Sequence, residues 1–246
     1  AVKGAMMITP VSGDTRAWFT QLFGRGFDYK LRTQPGGVDV NLFPKCLDTS
    51  MIERRYKLKG KNVVMFAGRL TPQKGTQYLI RAARKIKGEV FIVGDGSERK
   101  KLEKLARELK LKNIHFLGYF GRRHTRELKE FYYRSDVFVA PSVWEEPLGL
   151  VILEAMVCET PVVVTRKGGI PLAVKDKVNG LFVRARNSDD IAEKVNYLLD
   201  NPQMSVKMGK MARQIVLEKF NWTNIARRFE RIYIEMAPPT NGNNKK

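Results

Sequence analysis

A doubly wound α/β domain is what this sequence predicts. Three observations lead there. From Asn62 onward, short apolar runs alternate with longer stretches of helical periodicity. The short runs, such as Val63-Val64-Met65-Phe66 and Val162-Val163-Val164, are apolar on both faces, as strands of a parallel sheet covered by helices on both sides must be. Their spacing leaves room for a helix between consecutive strands, which makes an open parallel sheet wound in both directions.

The elements follow in order. Residues 62–67, 90–93, 114–117, 137–140, 161–165 and 181–183 read as strands. Between and after them, 76–86, 97–109, 125–133, 149–157, 204–218 and 223–235 read as helices, with Ser97 a plausible cap of the second. Ser188 reads as the cap of a further helix, where Asp189 and Asp190 in the first turn suit the positive end of its dipole. The first 61 residues differ. A strand over 5–11, a helix over 14–23 and a strand over 30–33 precede the break at Pro35-Gly36-Gly37. This is too little for an independent domain and reads as the end of a preceding one plus a linker, residues 1–35. The α/β domain then occupies 36–236, and the polar tail 237–246 has the composition of a disordered segment. The chain opens Ala1-Val2-Lys3 without an initiator Met, as the cut edge of something longer or a processed start would.

Composition narrows the function classes. No apolar run approaches the ~20 residues needed to span a bilayer, and no signal peptide is visible. Cys46 and Cys158 are too few for a disulfide framework, and with His115 and His124 they make a metal centre improbable. Reducing, cytoplasmic conditions fit best. The net charge of +20 points to a polyanionic neighbour. A basic surface resting on the inner face of an anionic membrane and plain solubility are both open readings; nucleic acid is not expected.

In an open parallel sheet, ligands bind outside the carboxyl ends of the strands, so the loops there carry the chemistry. After the first strand, Gly68 permits close approach of a ligand, and Arg69 and Lys74 supply two cations suited to a diphosphate; an ordinary basic surface loop is the alternative. Gly94-Asp95-Gly96 begins like a dinucleotide fingerprint, but Arg99 stands where the third glycine should be, so a tight turn is expected. Glu146 and Glu154, eight residues apart, would stand roughly 80° apart around a helix and about 12 Å apart along it. Acid/base pairs of sugar hydrolases sit closer, at about 5–9.5 Å, so the pair suits two hydroxyl-bearing parts of one extended ligand. Between them, N–H groups at the helix start near Gly149 and Leu150 can hold an anion. Glu154 lies in an otherwise apolar helix and needs hydrogen-bond donors, which sugar hydroxyls would supply. The loop Arg166-Lys167-Gly168-Gly169 lies on the same edge, either as a ligand contact through its glycine N–H groups or as a plain turn.

These segments together resemble the carboxyl-terminal, donor-binding domain of GT-B glycosyltransferases of the large retaining family numbered four, the glycosyl transferases group 1. The resemblance rests on Gly37-Val38-Asp39 with Phe43, Gly68-Arg69-Leu70 with Lys74-Gly75, Gly94-Asp95-Gly96, the run from Ser135 to Ser142, and Glu146 through Met156 with Pro161-Val162-Val163. The closing Phe220-Asn221-Trp222 also matches.

The resemblance implies a metal-independent hexosyl transfer from a nucleoside-diphosphate sugar to a glycan or lipid-linked acceptor, without a cofactor. It implies that Arg69 and Lys74 hold the diphosphate, Glu146 the transferred sugar and Glu154 the ribose. It also implies that backbone N–H groups of Leu148, Gly149 and Leu150 help hold sugar and diphosphate, with the base near Leu117–Tyr119. A non-catalytic nucleotide-sugar-binding module that needs a partner chain is the first alternative, and a basic nucleic-acid-binding protein, motivated by the net charge of +20, the weaker one. Two departures stand out: Leu172 where the family usually has Glu, and Glu159 where it usually has Gly.

Overall fold

A computed structural model describes residues 2–120 and 125–236. The tail 237–246, and His124 among the basic residues before it, lie outside the described residues. The sheet is the one the alternation predicts. β1 (Val63–Ala67), β2 (Glu89–Val93), β3 (Ile114–Gly118), β4 (Val137–Ala140), β5 (Val162–Thr165) and β6 (Gly180–Val183) run parallel in the order β3-β2-β1-β4-β5-β6. The direction of winding reverses between β1 and β4.

Strand residues divide by parity between two cores, because successive side chains leave opposite faces of a strand. Val63, Met65 and Ala67 enter one core with Phe91, Phe138 and Val164; Val64 and Phe66 enter the other with Val90, Ile92, Val139 and Val163. The helices in chain order are α1 (Gly13–Phe23), α2 (Ser50–Tyr56), α3 (Thr76–Ala82), α4 (Arg99–Glu108), α5 (Arg126–Arg134), α6 (Leu150–Val157), α7 (Ile170–Ala173), α8 (Ser188–Asp200), α9 (Pro202–Lys219) and α10 (Trp222–Met236). α2, α5, α6 and α9 cover the first face through Ile52, Phe131, Leu153 and Val216. α3, α4 and α8 cover the second through Leu79, Leu102 and Ile191. No described helix is long and apolar enough to cross a membrane.

Some local expectations are corrected. The predicted strands over 5–11 and 30–33 reduce to one parallel bridge between Ile8 and Leu31, since two strands without further neighbours gain little from pairing. α2 was hidden in a polar stretch and is carried by buried Ile52, whose N–H faces the buried carboxylate of Glu130 on α5. α3 stops at Ala82 because Asn196 of α8 captures the backbone at Lys85 and Lys87 through its amide. Ser97 does not cap α4; Glu98 takes that position without a side-chain bond. Asn187, one residue before Ser188, caps α8 by accepting from the Asp190 N–H. The break at Pro35-Gly36-Gly37 joins the carboxyl-terminal segment: the Val38 N–H donates to Phe220 O, and a Cβ on Gly37 would stand 2.4 Å from that oxygen.

The departure at Glu159 has a structural meaning. α6 ends at Val157, and Glu159 takes φ 63°, closing the helix with its N–H on Met156 O while the Thr160 N–H reaches Ala155 O. A left-handed residue past a helix end favours glycine. The Glu159 side chain gains only a 4.0 Å contact with Arg213. Replacing Glu159 with glycine is therefore expected to stabilise the protein by about 0.5–1 kcal/mol, read as a higher urea midpoint at unchanged m-value; an unchanged or lower midpoint contradicts this account.

Candidate active site

The carboxyl ends of β1, β2 and β3 open into a cavity of ≈ 560 Å³. Gly68 and Arg69 line it after β1, Gly94 and Asp95 after β2, and Tyr119 after β3, with Tyr132 and Glu154 closing it from α5 and α6. The floor is built by backbone. The Gly68 N–H donates to Val93 O and the Leu70 N–H to Asp95 O, and a Cβ on Gly94 would lie 1.9 Å from Gly68 O. Glu154 is 2% exposed and accepts a 2.8 Å hydrogen bond from the Tyr132 hydroxyl. That bond offsets part of the cost of burying a carboxylate. Arg69 stands exposed at the mouth.

The second part of the site lies across the reversal of winding, after β4. Lys74 ends a short 3₁₀ turn after β1 and is followed by Gly75, whose φ of 67° and approach to Pro141 O exclude a side chain. Its ammonium meets the Glu146 carboxylate at 2.6 Å, and the Ser142 hydroxyl donates to the same Oε2 at 3.3 Å. Glu146 is thus a buried carboxylate with a cation at its side. Glu145, next in line, faces the opposite loop: the Lys167 ammonium bonds it at 2.8 Å and the Gly168 N–H at 2.6 Å. Those two bonds, the lysine's first, hold the Glu145 carboxyl below the usual glutamate range. α6 begins immediately beyond, with Gly149 at φ 77° and no side-chain cap, so its first N–H groups lack intrahelical partners. Cations, carboxylates and a helix start on one edge can grip a ligand that carries both negative charge and hydroxyl groups.

The description "glycosyl transferases group 1" fits residues 49–215 of the chain. The chain belongs to that family. It is 39% identical over 178 residues to an uncharacterized glycosyltransferase of Methanocaldococcus jannaschii, covering 70% of this chain and 45% of that protein. It is 32% identical over 235 residues to a GDP-mannose-dependent alpha-(1-6)-phosphatidylinositol monomannoside mannosyltransferase of Mycobacterium tuberculosis, 91% of this chain and 60% of that one. Among solved structures it superimposes on HepE of Anabaena, determined in complex with UDP and glucose, with a TM-score of 0.85 and 26% identity over 96% of this chain and 65% of that chain. The chain spans about half the length of the curated relatives it matches. Its sheet and flanking helices are the Rossmann-like GT-B domain of the group 1 transferases.

The predicted residues fall into two groups. Gly68, Arg69, Tyr119 and Glu154 line the cavity, and Lys74 and Glu146 meet across the reversal of winding. Leu117 and Leu150 are half-buried and pack against the core, and Leu148 is a buried core residue. The reading of Gly169 as a backbone donor to ligand is corrected: its N–H is taken by Glu146 O at 2.6 Å and the Gly168 N–H by Glu145, so the two glycines brace the Glu145–Glu146 segment. The helical spacing of Glu146 and Glu154 does not hold either. Glu146 stands in the loop three residues before Gly149, and only Glu154 is helical. Sequence reasoning missed Tyr132, and it quoted Asp95 and Ser142 within motifs without giving either a role, since a tyrosine in an amphipathic helix and a serine after a strand carry no signal of a partner far along the chain. Replacing Tyr132 with phenylalanine removes its hydrogen bond to the buried Glu154 carboxylate and is expected to cost about 1–3 kcal/mol, measurable by urea denaturation; a cost below a few tenths would show that this bond contributes nothing.

Proposed function

We propose that this chain forms the donor-binding half of a hexosyltransferase that uses a nucleoside-diphosphate sugar, retains configuration and needs no metal. The Lys74–Glu146 pair carries the reading. It sets a cation for phosphate beside a carboxylate for sugar hydroxyls, which is the order of groups along the sugar–phosphate bond. Arg69 and Lys74 hold the diphosphate, and the start of α6 adds its dipole. As the sugar leaves, negative charge grows on the nucleoside diphosphate, and these preorganised charges stabilise it. Glu146 accepts from the transferred sugar and Glu154 from the ribose, while the base enters the cavity beside Tyr119. The complex of HepE with UDP and glucose supports a donor of this class.

The rest of the transferase is part of the same proposal. Residues 1–35 form the end of an amino-terminal acceptor domain, and the acceptor is a glycan or a lipid-linked glycan. The basic surface then rests against an anionic membrane.

Thermal melting with UDP-, GDP- and ADP-sugars tests the donor site, because a ligand bound only by the native state raises the melting temperature. One class of donor is expected to do so, and to do so equally in EDTA. Arg69→Ala and Lys74→Ala each remove a charge-assisted bond and should weaken that donor about ten- to a hundredfold. Stabilisation by none of these donors, or unchanged affinity in both variants, rejects the proposal.

A further inference from the structure

A second hollow, of ≈ 410 Å³, lies at the carboxyl ends of β5 and β6, on the edge of the sheet where ligands of such folds bind. It shares no residue with the cavity at β1–β3, and nothing before Arg166 lines it. Arg166 and Lys167 come from the loop after β5, Phe182 and Arg184 from β6 and its end, and Asp190 from the first turn of α8. Three cations thus line one concave space with a single carboxylate.

That carboxylate is already engaged. Asp190 is buried and accepts from the Arg184 N–H at 2.7 Å and from the Arg184 Nε at 3.4 Å. These bonds tie Arg184 to α8 and leave its two terminal guanidinium nitrogens without a carboxylate among the described residues. Arg166 meets no carboxylate among the described residues. Its guanidinium lies 5.6 Å from the centre of the Phe182 ring instead. Phe182 packs against the core, so the ring is a fixed platform that restrains the fork upon it. Lys167, bonded to Glu145 at 2.8 Å, is a third charge held in place. Restrained cations around one hollow favour an anion there. A planar carboxylate is satisfied by a single fork, whereas two forks and an ammonium match the several oxygens of a tetrahedral dianion.

We infer that this hollow is a binding site for a phosphate group, either free or carried as a monoester on a small molecule. Arg166 and Arg184 hold its oxygens, and Lys167 adds charge from the side of Glu145. The site is distinct from the one assigned above to the donor diphosphate, because Arg69 and Lys74 belong to the loop after β1 and take no part in this lining. It stands on its own residues and does not depend on the donor reading.

The arginine Nε–H signals in NMR spectra of the isotope-labelled chain report on the site residue by residue. Those of Arg166 and Arg184 are identified by their loss in Arg166→Ala and Arg184→Ala. Inorganic phosphate, glycerol phosphate, acetate and chloride are titrated at constant ionic strength. Saturable shifts of both signals are expected with inorganic phosphate or with the ester, and none with acetate or chloride. Tighter binding of the ester assigns a phosphorylated small molecule as the ligand; equal or weaker binding assigns free phosphate. Arg166→Ala should weaken the response at Arg184 about tenfold, and Arg166→Lys should recover part of it. The inference is overturned if neither phosphate compound gives a saturable shift, if acetate or chloride does as well, or if Arg166→Ala leaves the affinity at Arg184 unchanged. Loss of the response in Lys74→Ala overturns it too, since the phosphate would then be held at the donor site. Failure of the donor reading looks different: no nucleotide sugar raises the melting temperature while the phosphate response stands.

Discussion

At the carboxyl edge of the sheet, loops from distant parts of the chain meet through backbone contacts that leave no room for a side chain. A Cβ on Gly75 would stand 2.0 Å from Pro141 O, one on Gly168 2.1 Å from Glu146 O, and one on Gly169 1.9 Å from Pro147 O. Each contact ties one loop of the site to the next: the loop after β1 to the loop after β4, and the loop after β5 to the Glu145–Pro147 segment. Interiors packed to this density do not deform continuously. The positions of Lys74 and Glu146 follow from these contacts, since neither side chain lies on a strand or an α-helix of its own.

Electrostatics then work within that frame. A chain with so many cations could have crowded them against the site, but the described carboxylates at the edge are each matched to particular donors. Glu146 takes Lys74 and Ser142, Glu154 takes Tyr132, and Glu145 takes Lys167 and the Gly168 N–H. Pairing of this kind offsets part of the cost of placing carboxylates at a partly buried edge. It also separates roles along the edge. Glu154 closes the cavity at β1–β3, Glu146 stands at the reversal of winding, and Glu145 turns toward the loop after β5.

Legibility in the sequence followed the range of the physics involved. The six strands are short, apolar and spaced by helical patterns, so the sheet could be read with few errors of extent. Errors arose where a long-range contact overrides a local preference, as with Asn196 ending α3 or Ile52 holding a helix in a polar stretch. The site divides the same way. Glycines and charges at strand ends marked Gly68, Arg69, Lys74, Glu146 and Glu154, because such residues are out of place in an apolar setting. The partners of Tyr132 and Ser142 were invisible, and of the two readings open for the loop at Gly169, ligand contact or turn, the glycine N–H groups favour the turn, since both are held by the neighbouring segment.

By itself, the sequence determined the α/β class, the winding into a parallel sheet, the edge on which the glycine- and charge-bearing loops fall and the family to which the chain belongs. Each depends on periodicity or on residues at set offsets, which are local properties of the chain. The tertiary structure alone decided which charges meet. Lys74 and Glu146 are 72 residues apart in the chain and 2.6 Å apart in space, and Lys167 reaches Glu145 only because the loops after β4 and β5 lie side by side. Such meetings arise from the order of strands and the close backbone contacts between loops, neither of which a local pattern encodes.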